Sequence, residues 1–306
     1  MNRIGASGLP PEPMVATRND PIAEHVRAAL DARLRTLLEH QAGTRSGESP
    51  EQLHQMRVSV RRMRSVLKSA APFLDQHWSE PLRAELGWLG RELGVVRDLD
   101  VLLARLHRDA AEFEAAQRES AAQLIGALEA EHRAARESLQ AALNGDRHRS
   151  LLNALAEAVH DPLPASDVEH CGTRELRALV AKQYRKLRRT VDELGAEPTD
   201  AELHELRILG KRLRYTAELA EPVFGKPMRQ LLNVAKHFQD VLGEHQDACV
   251  AEQRVLELLT DLGPAPDPAV AFVAGRLVER EHSRRVAHRQ RWRECWRDLR
   301  STAAKV

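Results

Sequence analysis

From residue 21 onward, apolar residues recur at the three- and four-residue spacing of amphipathic helices, and no segment shows the alternation of a β-strand. Clusters rich in Gly, Pro, Asn and Asp divide this pattern into helix-sized pieces. The clusters lie at residues 43–50, 72–78, 144–146, 161–172, 195–200, 225–227 and 263–268. The pattern at 97–143 predicts one long or bent helix, or two in succession. The chain is therefore predicted to be all-α.

An internal repeat divides these helices into two halves. The segment HQMRVSVRRMRSVLKSAAPFL, which begins at His54, matches HELRILGKRLRYTAELAEPVF, which begins at His204, at an offset of 150 residues. The repeat pairs His54 with His204, Arg57 with Arg207, Arg61 with Lys211, Arg62 with Arg212, Arg64 with Arg214, Pro72 with Pro222 and, on the preceding helices, Arg35 with Arg185. Duplicated helical units produce such a pattern.

We therefore predict two four-helix bundles related by pseudo-twofold symmetry. The predicted boundaries are a flexible N-terminal lead-in at residues 1–19, a first half at 20–160, a linker at 161–172, and a second half with a C-terminal helix at 173–306.

Each copy of the repeat carries a row of cations along one side of its helix, which we call a cationic ridge. At about 100° per residue, the first ridge occupies an arc of about 80° beside an apolar face, and no acidic residue occurs between residues 52 and 74. The first ridge comprises His54, Arg57, Arg61, Arg64 and Lys68, and the second comprises His204, Arg207, Lys211 and Arg214. The second ridge ends at Glu218, where the first has Lys68.

Like charges at these spacings repel one another on an isolated helix, so something must compensate them. One interpretation is a solvated face balanced by acidic residues from other helices. The other is a polyanion site, which two matched ridges favour over a single one. If the ridges face each other across the symmetry axis, they line a shared basic groove or cavity that focuses positive potential. The histidine at the head of each ridge can donate a hydrogen bond to a phosphate oxygen. Alternatively, it can simply cap the helix or lie at the edge of the hydrophobic core.

Composition limits the class of partner. The 46 basic and 45 acidic residues give a formal net charge of only +1, which excludes a histone-like basic surface but not a local patch. Of the cations 39 are arginine, which suits bidentate phosphate contacts, although a GC-rich genome gives the same bias. Aromatic residues make up only 4%, which argues against a stacking platform for single-stranded nucleic acid.

Three scattered cysteines show no metal-ligand spacing and indicate a reducing cytosol. No apolar run reaches the roughly 20 residues of a membrane span, and the N-terminus lacks a signal-peptide core. We therefore expect a cytoplasmic protein with no membrane partner.

At the ridges the sequence resembles the CHAD family, the conserved histidine α-helical domain, over about residues 20–300. Two motifs carry the resemblance: His54-x-x-Arg57-Val58-x-x-Arg61-Arg62-x-Arg64 and His204-x-x-Arg207-Ile208-x-x-Lys211-Arg212-x-Arg214-Tyr215. Two further segments support it: Leu93-Gly94-Val95-Val96-Arg97-Asp98-Leu99-Asp100 and Gln239-Asp240-Val241-Leu242-Gly243. In the second half, His245-Gln246-Asp247 lacks the cation of Val96-Arg97-Asp98, which predicts an asymmetric cavity.

The resemblance implies two four-helix bundles around a basic central cavity that binds inorganic polyphosphate, and association with polyphosphate granules in a prokaryotic cell. We expect a non-enzymatic binding protein without a metal or cofactor, and make no prediction of its oligomeric state. The expected phosphate contacts are His54, Arg57, Arg61, Arg64, Lys68, His204, Arg207, Lys211 and Arg214, joined by Arg35, Arg185 and Lys236 on neighbouring helices.

Two alternatives remain open: a general binder of nucleic acid or nucleotide phosphates, and a metal-dependent phosphohydrolase. No helix-turn-helix or zinc-finger pattern supplies base readout, so we do not expect nucleic acid as a specific partner. No catalytic domain of the CYTH type, often fused to such domains, is evident: Glu129-Ala-Glu131-His132-Arg133 is helical and has Arg where its Glu-x-Glu-x-Lys motif has Lys.

Acidic residues supply the few other candidate sites. His160 and Asp161 form a dyad of the metal-phosphohydrolase type without recognisable further ligands. Asp98, Asp100 and Asp247 can either hold Mg²⁺ or pair with the ridge arginines, which we favour. On the C-terminal helix, Trp292 and Trp296 are predicted packing anchors, and the arginines beside them either extend the basic surface or are solvated.

Overall fold

The computed structural model describes residues 9–164 and 172–305, and in these ranges it contains nine α-helices and no β-strand. The helices are α1 Ile22–Ser46, α2 Pro50–Ala70, α3 Gln76–Ala111, α4 Ala115–Asn144, α5 Asp146–His160, α6 Gly172–Asp192, α7 Asp200–Phe224, α8 Lys226–Asp261 and α9 Pro268–Ala303. The predicted all-α class is confirmed. The pattern at 97–143 belongs to two successive helices, α3 and α4.

The two helices that carry the ridges, α2 and α7, begin at well-formed caps. Ser49 accepts a hydrogen bond from the backbone N–H of Glu51, and Pro50 occupies the first helical position, where no N–H is needed. Thr199 and Glu202 form a reciprocal capping box at the start of α7. These caps fix the residue at which each helix begins, and therefore where each ridge starts.

Neighbouring helices along the chain pack against each other in the same order in both halves. In the first half α1 packs on α2, α2 on α3 and α3 on α4, and in the second half α6 packs on α7, α7 on α8 and α8 on α9. Direct packing of α2 on α7 joins the halves. The pseudo-twofold symmetry of the duplication and the basic groove between the halves remain predictions. Of the described helices, none is both long and apolar enough to cross a membrane.

The hydrophobic core consists of two clusters, and neither is confined to one predicted half. The larger cluster includes Met56 and Leu86 of the first half together with Leu206 and Phe238 of the second. The smaller cluster lies where the C-terminal parts of α3 and α8 meet the N-terminal parts of α4 and α9, and it includes the fully buried Leu106. Because both cores draw on both halves, each half depends on the other for burial.

A buried ionic network joins α3, α8 and α9. Glu281 has no solvent exposure, and it accepts hydrogen bonds from Nε of Arg105 at 2.8 Å and from Nη1 of Arg284 at 2.6 Å. Arg284 also binds the buried carboxylate of Asp109, with a distance of 2.6 Å to Oδ2, and Arg105 reaches Glu244 at 3.2 Å. Each buried carboxylate therefore has a guanidinium partner, as burial of charge requires.

The residues just before α1, part of the predicted flexible lead-in, follow that helix and bond to it. The N–H of Met14 donates to Oδ2 of the buried Asp31 at 2.8 Å. Arg35 pairs with the same carboxylate at 2.9 Å and donates to the carbonyl of Pro10 at 2.5 Å. Residues 1–8 of the lead-in, and residues 165–171 of the predicted linker, lie outside the described residues.

We expect Glu281→Ala to lower the free energy of unfolding by about 3 kcal/mol, because it leaves the Arg105 guanidinium largely buried without its main partner. Urea denaturation followed by circular dichroism measures this change. The control is Glu131→Ala, which removes a solvent-exposed partner of Arg254 and should cost about 0.5 kcal/mol. Similar losses in the two variants would contradict a structural role for the buried network.

Candidate functional site

The apolar faces predicted beside the ridges are buried. Leu53, Met56, Val60, Met63 and Leu67 of α2 are each at most 1% exposed. With these faces buried, both ridges lie near the line where α2 packs on α7. Across that line Oγ of Ser69 lies 3.0 Å from Oγ1 of Thr216, and Arg62 pairs with Glu218 at 3.0 Å.

Cations from both ridges gather around Lys211. Burial and the positive charges of three arginines lower the pKa of Lys211 to about 7. These arginines are Arg207 on the same helix, and Arg61 and Arg57 on α2. The two halves thus contribute to one electrostatic site. We call Arg57, Arg61, Arg207, Lys211 and Arg214 the central cation cluster.

Tyr215 holds two members of this cluster in place. Its buried ring lies under the guanidinium of Arg61, 5.6 Å from the ring centre, and under that of Arg214, at 5.2 Å. Burial, with the charges of neighbouring arginines, lowers the pKa of Arg61 despite the opposing effect of Tyr215. Among the described residues, no carboxylate lies within 4.0 Å of the charged nitrogens of Arg61 or Lys211. Both side chains retain donors for an anion.

Aspartates at the edge of the cluster orient its other arginines. Asp98 binds Nη2 of Arg57 at 3.0 Å, and Asp247 lies 3.9 Å from Nη2 of Arg207. Burial raises the pKa of Asp247. Asp100 does not join them, because two residues along a helix turn a side chain by about 200°, and it binds Nε2 of His132 at 2.7 Å instead. The favoured pairing with ridge arginines is therefore found for two of the three aspartates.

The two ridge histidines have different surroundings. Burial and the nearby charge of Arg97 lower the pKa of His54, which keeps its imidazole neutral at pH 7. Gln246 occupies the corresponding place beside His204, with its Oε1 2.7 Å from Nδ1. In the second half, the neutral amide of Gln246 thus occupies the position that the cation Arg97 has in the first half. Arg97 belongs to this neighbourhood although it was not among the expected contacts. The sequence feature that could have identified Arg97 is its position one helical turn after Gly94.

A cavity of about 800 Å³ between α2, α6 and α7, which we call the α6 cavity, holds further cations. Two predicted residues, Lys68 and Arg185, line it. It is also lined by cations that the sequence analysis missed: Lys182, Lys186, Arg188, Arg189 and Arg212. Along α6, residues 182, 186 and 189 repeat the spacing of residues 57, 61 and 64, so the same pattern search would have found these three, whereas Arg212 was seen in the repeat but not expected to contact phosphate. Two acidic residues, Asp192 and Glu193, also line the cavity.

Three remaining predicted contacts lie at the periphery or elsewhere. Arg64 is exposed and runs across Gly87, where an added methyl group would lie 3.4 Å from its Nε. Lys236 is exposed on α8. Arg35 is held on α1 by Asp31 and by the backbone of Pro10, so its guanidinium is engaged away from the central cation cluster.

The structure also assembles donors that sequence spacing did not reveal. Asp200, His245 and Cys249 place potential metal-ligating atoms within 4.8 Å of one another, since α7 and α8 pack side by side. The carboxylate of Asp200 is already paired with Arg285, at 2.9 Å, and with Arg289. His160 and Asp161 form an exposed contact of 2.8 Å, and within the described part of the chain no third metal-ligating group joins them.

Tryptophans attach α9 to the second half, as predicted. Trp296 stacks on Tyr184 of α6 with ring centres 6.3 Å apart and lies 6.1 Å from the ring of Phe238 on α8. The arginines of α9 that the structure pairs with carboxylates are Arg280, Arg284, Arg285 and Arg289. Their charge is balanced within the molecule rather than added to the central cation cluster.

Two solved structures share this architecture. The crystal structure of the CHAD domain from the plant Ricinus communis matches with a TM-score of 0.74 and 26% identity, covering 95% of this chain and 96% of that one. PptA from Streptomyces chartreusis matches with a TM-score of 0.73 and 20% identity, covering 91% of this chain and all of that one. This likeness extends over nearly all nine helices.

Sequence comparisons agree with the structural ones. Uncharacterized proteins from two strains of Mycobacterium tuberculosis are 27% identical over 270 residues, which is 85% of this chain and 50% of theirs. The chain therefore spans about half the length of these curated relatives. The model of the CHAD domain matches residues 28–256, which is well over half of the chain and includes both ridges. The chain thus belongs to the CHAD domain family.

Proposed function

We propose that this protein binds inorganic polyphosphate at the central cation cluster and does not hydrolyse it. The observation that supports this most directly is the gathering of half-buried cations from both ridges around Lys211, whose pKa falls to about 7 through burial and the charges of these arginines. The free protein keeps like charges together in a partly desolvated place, at a cost in free energy. A chain of phosphates relieves that repulsion and receives charge-assisted hydrogen bonds.

A regular polyanion fits the cluster better than a nucleic acid does. Guanidinium and ammonium groups contact phosphate oxygens without reading bases, and the sequence has no helix-turn-helix or zinc-finger pattern that would supply base readout. The 4% aromatic content offers few rings for stacking unpaired bases. Membership of the CHAD family supports the same ligand, and with it a cytoplasmic location at polyphosphate granules.

A binding role without catalysis agrees with the acidic residues around the cluster. Asp98 and Asp247 face arginines, so their charge orients phosphate-binding groups instead of collecting a metal ion. We expect no orthophosphate release when long-chain polyphosphate is incubated with the protein and Mg²⁺ or Mn²⁺. Release that is lost in an Asp98→Asn, Asp247→Asn variant would favour a phosphohydrolase instead.

Competition binding at physiological salt tests the ligand class. Long-chain polyphosphate should displace a labelled polyphosphate probe better than single-stranded DNA, RNA or triphosphate at equal phosphate concentration. Its affinity should fall as salt rises, because binding releases counterions. Equal affinity for DNA would contradict the proposal.

An Arg57→Glu, Arg207→Glu double variant should abolish polyphosphate binding, since it reverses one charge on each ridge. The matched control is Arg108→Glu, Arg118→Glu, which reverses the charge of two exposed arginines on α3 and α4, outside the ridges. Circular dichroism should show unchanged helical content in both variants. Binding that survives in the first variant would mean that the ridges are only a solvated face.

Lys211 should make binding depend on pH. Its pKa of about 7 in the free protein means that it is mostly neutral at pH 8, whereas bound phosphate favours the ammonium form. Binding therefore takes up a proton, and affinity should fall by up to about tenfold per pH unit between pH 7.5 and 9. Titration calorimetry in buffers of different ionisation enthalpy measures this proton uptake.

Lys211→Arg is the matched control, because arginine stays protonated throughout this range. It should bind at least as tightly as the wild-type protein at pH 9 and show little pH dependence. An equal slope in the arginine variant would show that Lys211 is not the responsible group.

A further inference from the structure

We infer that the phosphate-binding site is one-ended: from the central cation cluster, the bound chain continues into the α6 cavity and not toward the corresponding position on the other half. This inference rests on the proposed function and adds selection for chain length to it. Long polyphosphate occupies both the cluster and the cavity, whereas triphosphate occupies only the cluster.

The α6 cavity continues the cluster along α2. From Arg57 to Lys68 the ridge spans 11 residues, or about 16 Å of helix. Burial and the positive charges around it lower the pKa of Lys68. Those charges include Arg64 on the ridge, and Arg212 and Lys186 in the cavity. Lys68 therefore lies within electrostatic reach of the cavity cations and of Arg64, the ridge residue between it and the central cation cluster, and no charge of opposite sign is among the causes of its shift.

The cations of the cavity are available for a ligand. Within the described part of the chain, no carboxylate lies within 4.0 Å of the charged nitrogens of Lys68, Lys182 or Lys186. Lys182, Lys186 and Arg185 are exposed on one stretch of α6. A cavity of about 800 Å³ with several unpaired cations and only two acidic residues in its lining suits an anionic chain.

At the repeat offset of 150 residues, the α6 cavity has a counterpart in the other half. That counterpart measures about 320 Å³ and lies between α1, α2 and α7. Its lining has Arg62 where the α6 cavity has Arg212, but it has Glu218 in place of Lys68 and Ala32 in place of Lys182. Glu218 pairs with Arg62 at 3.0 Å and with Arg214 at 3.4 Å. In the counterpart, Glu218 and Glu221 thus offset the two arginines of the lining, Arg33 and Arg62, whereas in the α6 cavity seven cations outnumber two carboxylates.

The N-terminal segment also narrows the counterpart. Met14, Val15 and Ala16 line it, and the hydrogen bond from Met14 to Asp31 fixes this segment against α1. Charge and steric access therefore both oppose passage of a polyanion on that side. The difference comes from the last position of the ridges, Lys68 against Glu218, and from residues outside them, so the matched parts of the ridges look alike although their surroundings differ.

A variant with the α1 residues at the equivalent α6 positions tests the continuation. Lys182→Ala, Lys186→Thr copies Ala32 and Thr36 onto α6 and should weaken binding of long-chain polyphosphate by about tenfold. Binding of tripolyphosphate should change by less than about twofold, because it needs only the cluster. The control of equal charge loss is Arg108→Ala, Arg118→Thr on α3 and α4.

The reciprocal variant tests the closed side. Ala32→Lys, Thr36→Lys places the α6 lysines on α1 and should leave long-chain affinity within about twofold, since Glu218 and residues 14–16 still close that side. A gain of about tenfold would overturn the inference by showing a two-ended site. Unchanged long-chain binding in the α6 variant would overturn it as well.

These outcomes are separable from failure of the proposed function. If the wild-type protein does not prefer polyphosphate to DNA, the proposed function fails. If it does, and the Arg57→Glu, Arg207→Glu variant loses binding while the α6 variant does not, only the one-ended site is wrong. Circular dichroism of each variant establishes that it is folded.

Discussion

The central constraint on this structure is that like charges are held close together where α2 meets α7. Arg61 and Lys211 are half-buried and face further arginines, and burial together with these charges lowers the pKa of Lys211. Such a cluster would disperse on flexible loops. It persists because each ridge lies beside an apolar helix face that is almost fully buried, so moving the cations apart would require exposing the core.

The rest of the fold supplies that rigidity. Two hydrophobic clusters draw on both halves, and the ion pairs of Glu281 and Asp109 connect α3 with α9. Tyr215 and the paired aspartates then restrict individual guanidiniums. Preorganised donors lose little conformational freedom when an anion binds, which would favour the binding proposed above. The small net charge of the whole molecule is consistent with this arrangement, since its 46 basic residues are nearly balanced by 45 acidic ones.

Helical periodicity was sufficient to predict the helices, the buried faces of α2 and the anchoring role of Trp296, because these follow from local spacing and hydrophobicity. Contacts between distant segments were not accessible in this way. The bond between Asp100 and His132, the approach of Asp200 to His245, and the engagement of Arg35 by Asp31 each depend on how helices are rotated in the assembled fold. The cations of the α6 cavity are an intermediate case, since their spacing was visible but their proximity to Lys68 was not.

The position of α9 has a consequence for where the cooperative unit ends. The family match stops at residue 256, within α8, yet α9 supplies Glu281 to Arg105 and places Trp296 against α6 and α8. A fragment cut at the family boundary would therefore expose core from both clusters and leave a largely buried guanidinium without its main partner. The segment that the family model matches is thus shorter than the segment whose side chains pack into the two cores.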